Sequence, residues 1–104
     1  MNVFEIYLVY LSWGEGGKVR PVLVMDIKED HIFIYGITSV SPDKKSKKIA
    51  DRYVPIQDWK ASGLNLPSWI DINTRIALPA GETSSLRFVG KLTIRDANRL
   101  IDKI

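Results

Sequence analysis

The chain has 104 residues, a formal net charge of +3 and no cysteine, with a sequence pI near 9.3. Without cysteine there is neither a disulfide framework nor a thiolate metal site; no apolar run approaches a membrane span. The N-terminus lacks the basic region and apolar stretch of a signal peptide, so a cytoplasmic protein is expected. The length fits one domain, residues 1–104, with one core. The small basic excess tilts towards a polyanionic partner, although such a balance is also ordinary among soluble proteins.

In chain order the strand-like runs are residues 4–11, 21–27, 31–38, 52–56, 69–72 and 75–78. Their short spacing, punctuated by Gly, Pro, Asp and Ser, predicts a mainly β protein: a small antiparallel sheet curling into a barrel. Between the second and third runs, Lys28-Glu29-Asp30 reads as the polar turn of a β-hairpin. Antiparallel pairing there brings Arg20, at the mouth of one strand, beside Thr38, at the far end of the next. A guanidinium beside a hydroxyl suits a phosphodiester. Strand alternation sends Thr38 and Ser39 to opposite faces, so one of the two points at Arg20. Gly14-Glu15-Gly16-Gly17 has no helix after it and no P-loop pattern, and reads as a flexible connection that covers the site. A short helix is expected around residues 58–62, ended by Gly63. From Thr93 a terminal helix begins, with Thr93 and Asp96 placed to satisfy free backbone N–H groups. Ile94, Ala97, Leu100, Ile101 and Ile104 follow at helical spacing as one apolar stripe that seals the barrel.

The run Lys18-Val19-Arg20-Pro21-Val22-Leu23-Val24, followed by Ile37-Thr38-Ser39, resembles the PemK/MazF family of toxin endoribonucleases. Ala61-Ser62-Gly63-Leu64, Pro67-Ser68-Trp69 and Phe88-Val89-Gly90-Lys91-Leu92 are also similar, so the likeness spans nearly the whole chain in order. Two departures stand out. The family usually opens with a glycine before the first strand, where this chain reads Val3-Phe4-Glu5. Gly36 stands where many relatives have proline. The resemblance implies an SH3-like β-barrel with a C-terminal helix. It also implies cleavage of single-stranded RNA to a 2′,3′-cyclic phosphate and a 5′-hydroxyl, within a type II toxin–antitoxin system. A homodimer with RNA bound near the interface and a cognate antitoxin protein complete the implied assembly. Arg20 and Thr38 are the matching catalytic positions.

RNA cleavage by its own 2′-hydroxyl needs a base, charge stabilisation at phosphorus and an acid for the leaving oxygen. His31 is the sole histidine, which excludes a two-histidine mechanism within one subunit, and beside Glu29-Asp30 it reads as a solvated turn residue. Arg20 can donate two hydrogen bonds to phosphate oxygens. Its high pKa argues against an arginine base, although the resemblance gives the matching residue a part in proton transfer. Thr38 would orient the phosphate or the attacking hydroxyl; a β-branched residue also simply suits a strand end. Lys18, Ser39, Lys44 and Lys45 are candidate RNA contacts, the last two in a basic loop with Lys47 and Lys48 that would equally pass for a solvated connection. Trp13 could stack on a base or be buried; Trp59 and Trp69 read as core or interface. Asp26, Glu29, Asp30, Asp58 and Asp71 show no metal-ligand spacing, which fits a reaction without metal or cofactor. The competing reading is a barrel of the same shape that grips nucleic acid or protein, a gyrase-directed toxin relative for instance, without cutting.

Overall fold

Alternating apolar residues build six antiparallel strands in one curled sheet. The computed structural model describes the backbone of residues 1–104 and all side chains except those of Leu11, Trp13 and residues 82–84. The strands are β1 (Glu5–Trp13), β2 (Gly16–Ile27), β3 (His31–Thr38), β4 (Tyr53–Ile56), β5 (Ser68–Pro79) and β6 (Arg87–Lys91), in the order β4-β5-β3-β2-β1-β6. Helix α1 (Lys47–Ala50) joins β3 to β4, and helix α2 (Ile94–Lys103) closes the chain. The result is a half-barrel with a C-terminal helix, as the sequence led us to expect.

Both faces of the sheet are apolar. Ile6, Leu23, Ile37, Ile70, Val54 and Ile56 meet Leu92, Ala97 and Leu100 in the main core, with Phe4, Trp59 and Leu64 packed against it. The alternate residues Val9, Val22, Val24, Ile32 and Ile34 form a second cluster under Ile76, Leu78 and Leu86. Burying each such aliphatic side chain contributes about 1.5–3 kcal/mol.

Several boundaries differ from the sequence reading, each for a local reason. The glycine-rich segment is the end of a paired hairpin and not an open loop. β1 and β2 stay paired out to Trp13↔Gly16, and Gly14 turns the chain at φ +46°. Arg20 therefore lies well inside β2 and not at its mouth. Residues 69–72 and 75–78 belong to one strand, interrupted where the register jumps from Tyr35↔Arg75 to Gly36↔Asp71. Asp71 organises the bulge: its Oδ1 accepts the Asn73 N–H (2.9 Å) and its Oδ2 accepts the Thr74 hydroxyl (2.8 Å). β6 was not anticipated as a strand. The basic stretch after Pro42 forms a 3-10 turn, Pro42–Lys44, and then α1, capped by the hydroxyls of Ser41 and Ser46.

Residues 58–62 make one helical turn and no helix. Gly63 N–H bonds Lys60 O (3.1 Å) and Leu64 N–H bonds Trp59 O (3.0 Å), with Gly63 at φ +89°. This is the Schellman closure that only glycine adopts cheaply. Gly90 of β6 packs on the same turn so closely that a Cβ there would sit 2.1 Å from the Ser62 carbonyl oxygen.

The expected stripe on α2 splits. Ala97 and Leu100 are buried, whereas Ile94 is 81% exposed and Ile101 and Ile104 about half exposed. Asp96 is the cause. It is buried, and its carboxylate accepts the Gln57 and Asp58 N–H groups at 3.1 and 2.8 Å. That contact rotates α2 so that residues 96, 97 and 100 face inward. Finally, Phe4 has φ +71°, the one non-glycine residue with positive φ among those described. It lies in the opening segment Val3-Phe4-Glu5, just before β1. Its N–H bonds Val24 O (2.7 Å) and its carbonyl accepts Leu92 N–H (3.0 Å), and these bonds with the core packing of its ring hold it there.

Candidate active site in the cleft between β2 and β3

The ladder between β2 and β3 runs up to Val22↔Gly36 and stops. Pro21, with no backbone N–H to contribute, follows. Beyond that point β2 pairs only with β1, through Leu8↔Pro21 and Val9↔Arg20, while β3 continues beside β5 to Thr38↔Trp69. The two strands splay, and a cleft opens between them. Arg20, Pro21, Ile37 and Thr38 line both of its compartments, one of about 640 Å³ and one of about 240 Å³.

Alternation decides what faces the cleft. Arg20 shares a face with Val22 and Val24, and Thr38 with Gly36 and Ile34, all on the side of the second cluster. Continuing the register past Val22↔Gly36 sets Arg20 across from Thr38. Arg20 is exposed, and among the described residues nothing pairs with its guanidinium. Thr38 is fixed: its Oγ1 accepts the Val40 N–H at 3.1 Å. With that oxygen engaged as an acceptor, the hydroxyl proton is left to donate outward.

The two compartments differ in charge. Lys18, Arg20, Thr38, Ser39, Asn65 and Ser68 supply the polar groups of the larger one, and no carboxylate is among its described lining residues. The smaller one adds Asp71 and Thr74 to Arg20 and Thr38. Asp71 escaped the sequence reading, which weighed the carboxylates only for metal spacing. The available signal was its place on the strand opposite Gly36, two positions before Thr38 on β3. Gly36 itself is not needed for space: a Cβ there would meet Thr74 at an ordinary 3.9 Å.

The remaining candidates divide. Lys18 and Ser39 line the larger compartment with Arg20 and Thr38. Lys44 and Lys45 line neither compartment; Lys45 lies 5.5 Å over the Tyr53 ring. The Trp13 side chain lies outside the described residues. His31 begins β3, at the opposite end from Thr38, which is roughly 20 Å away along an extended strand. It pairs with exposed Asp30 at 3.2 Å. Among the described residues no three His, Cys, Asp or Glu side chains gather closely enough to hold a metal, and no helix is long and apolar enough to cross a membrane.

This arrangement sits on a known scaffold: the fold is that of the MazF toxins. The Mycobacterium tuberculosis toxin MazF-mt6 superposes with a TM-score of 0.68 at 22% identity, over 96% of this chain and 91% of that one. A second structure, of an Mtb toxin, gives a TM-score of 0.64 at 19% identity, over 94% of each chain. No protein-family profile matches the sequence, and no curated protein does.

Proposed function

We propose that the protein is a toxin ribonuclease that cuts single-stranded RNA in the cleft between β2 and β3. The observation that carries this reading is an unpaired guanidinium, an oriented hydroxyl and one carboxylate lining a single small compartment. The toxin fold of its structural neighbours supports it.

Each group has a task in transesterification. The RNA 2′-oxygen attacks phosphorus and its proton passes to Asp71, whose two oxygens are held by Asn73 and Thr74. As the new O–P bond forms, charge grows on the non-bridging oxygens. Arg20 receives it through two N–H donors, and the Thr38 hydroxyl adds a third. The P–O5′ bond breaks and the 5′-oxygen takes a proton delivered through water. The products are a 2′,3′-cyclic phosphate and a 5′-hydroxyl. Arg20 acts only as a hydrogen-bond donor and passes on no proton. Lys18 and Ser39 extend the phosphate contacts along the larger compartment, and Lys44 and Lys45 continue the basic path beyond it. The substrate is single-stranded because bases must be splayed before side chains reach them. The wider reading is a cytoplasmic homodimer neutralised by a cognate antitoxin.

The test is cleavage of a long single-stranded RNA in chelator, with the breaks mapped by primer extension. Wild type is expected to give discrete breaks, and Arg20→Ala none. Asp71→Asn should lower kcat/KM by a hundredfold or more. Thr38→Val should cost about tenfold, with Thr38→Ser restoring most of it. Equal cutting by wild type and Arg20→Ala would sink the assignment. No cutting by either, in protein free of antitoxin, would leave a binding module.

A further inference from the structure

We infer that Asn65 is the base-reading residue of the larger compartment, hydrogen-bonding the edge of one splayed nucleobase; this rests on the ribonuclease reading above. Asn65 is exposed and lines the same compartment as Arg20, Thr38, Lys18 and Ser39. Among the described residues its side-chain amide makes no hydrogen bond.

The usual structural reasons for an asparagine in a connection are absent. Asparagine earns such positions by adopting a left-handed backbone or by an Asx-turn to the backbone two residues on. Asn65 does neither: it has no positive φ, and its amide accepts nothing from its neighbours. The segment around it is instead held from several sides. Leu64 N–H bonds Trp59 O at 3.0 Å, and the Ser68 hydroxyl donates to Leu66 O at 2.8 Å. Behind it Gly63 packs so tightly on β6 that a Cβ would lie 2.5 Å from the Val89 carbonyl oxygen. A free amide on a pinned segment is pre-organised to recognise a ligand, because little ordering remains to be done on binding.

The surroundings fit a base. Val19, Val40 and Leu66 are exposed at 61, 69 and 58% and line the compartment together with Leu64 and Val89. Such apolar walls can sandwich a flat ring, while the amide offers one donor and one acceptor to its edge. Lys18 and Arg20 supply the positive charge for the flanking phosphates. A volume of about 640 Å³ is ample for one nucleotide.

The experiment compares cleavage-site preference across a randomised single-stranded RNA pool for wild type, Asn65→Ala, Asn65→Asp and Arg20→Ala, with melting curves for each. Asn65→Ala should fold normally but cut its preferred sites more slowly, losing roughly ten- to one-hundredfold of discrimination at one position beside the break, the size of one bidentate base contact. Asn65→Asp, which only accepts, should move that same position towards guanine, whose edge presents two adjacent N–H donors. Cutting that still requires Arg20 but keeps an unaltered preference in Asn65→Ala would overturn the inference alone. A wild type that does not cut, or an Arg20→Ala that cuts equally, would overturn the ribonuclease reading and this one with it.

Discussion

Asp58 and Asp96 are surrounded by partners; among the described residues Arg20 has none. At the junction of α2 with the turn after β4, Asp96 accepts two backbone N–H groups and the Arg99 guanidinium (2.6 Å). Asp58 beside it accepts the Thr93 hydroxyl (2.7 Å) and both arms of Arg95. Arg99 also donates to the Gln57 side chain at 2.9 Å. In the cleft, Arg20 and Lys18 line a larger compartment with no carboxylate among its described residues, and the Asp71 carboxylate that shares the smaller one with Arg20 makes its hydrogen bonds to Asn73 and Thr74 instead. The two regions use the same residue types for different ends. A charge paired within the fold is spent on holding elements together; a charge left open is available to something from outside. The contrast predicts that mutations will separate cleanly into effects on catalysis and effects on stability.

The largest separation is expected at Arg20. Arg20→Ala removes the main donor to the developing charge, and activity should fall by about 10²–10³-fold. Because the guanidinium has no partner among the described residues, the melting temperature should move by no more than a degree or two, as for ordinary surface changes. A large loss of melting temperature would break the comparison, since it would mean that Arg20 is structural.

Asp96→Ala should do the reverse. It leaves two part-buried N–H groups and one guanidinium without their carboxylate acceptor, which costs about 3 kcal/mol. For a chain of this length that lowers the melting temperature by roughly 10–20 °C. Measured well below that midpoint, cleavage per folded molecule should stay within about threefold of wild type. A selective loss of activity at full stability would show that the junction belongs to the site.

How much of this was readable beforehand follows the same divide. The Arg20–Thr38 juxtaposition was only partly legible: the polar turn marks the hairpin, but its own register, Ile27↔Ile32, would set Arg20 across from Ser39, and a bulge between Val24 and Asp26 shifts the pairing by one to Val22↔Gly36. Asp96 was read as a local cap of α2, yet its main partners lie 38 and 39 positions away. No periodicity encodes that, and so the exposure of Ile94 and Ile101 was missed with it. β6 escaped because Phe88 is exposed and Gly90 breaks the pattern; the tight approach of Ser62 is the reason for that glycine, and it is visible only in three dimensions. Phe4 is the converse case. Nothing in the sequence marks it as left-handed, yet its φ is +71°, and a side chain that packs on the core offsets a conformation costing about 1–2 kcal/mol.

The smallest effect is the pH dependence of the junction. Hydrogen bonds from Arg95 and then Thr93 hold the Asp58 carboxyl below the usual carboxylate range. Asp58 with its folded pKa depressed adds stability that is complete above its unfolded pKa. That stability is lost as pH falls through the folded value. Asp58→Asn should therefore melt below wild type at neutral pH, by a modest margin because Arg95 is largely exposed. The gap should shrink on acidification below the ordinary carboxylate range and close once pH has fallen through the folded value. The same titration applied to Arg20→Ala should show a constant difference, because its guanidinium has no carboxylate partner to protonate. A gap for Asp58→Asn that stayed constant as pH fell through that range would mean that the ionised pair contributes nothing, and that Asp58 acts only by shape.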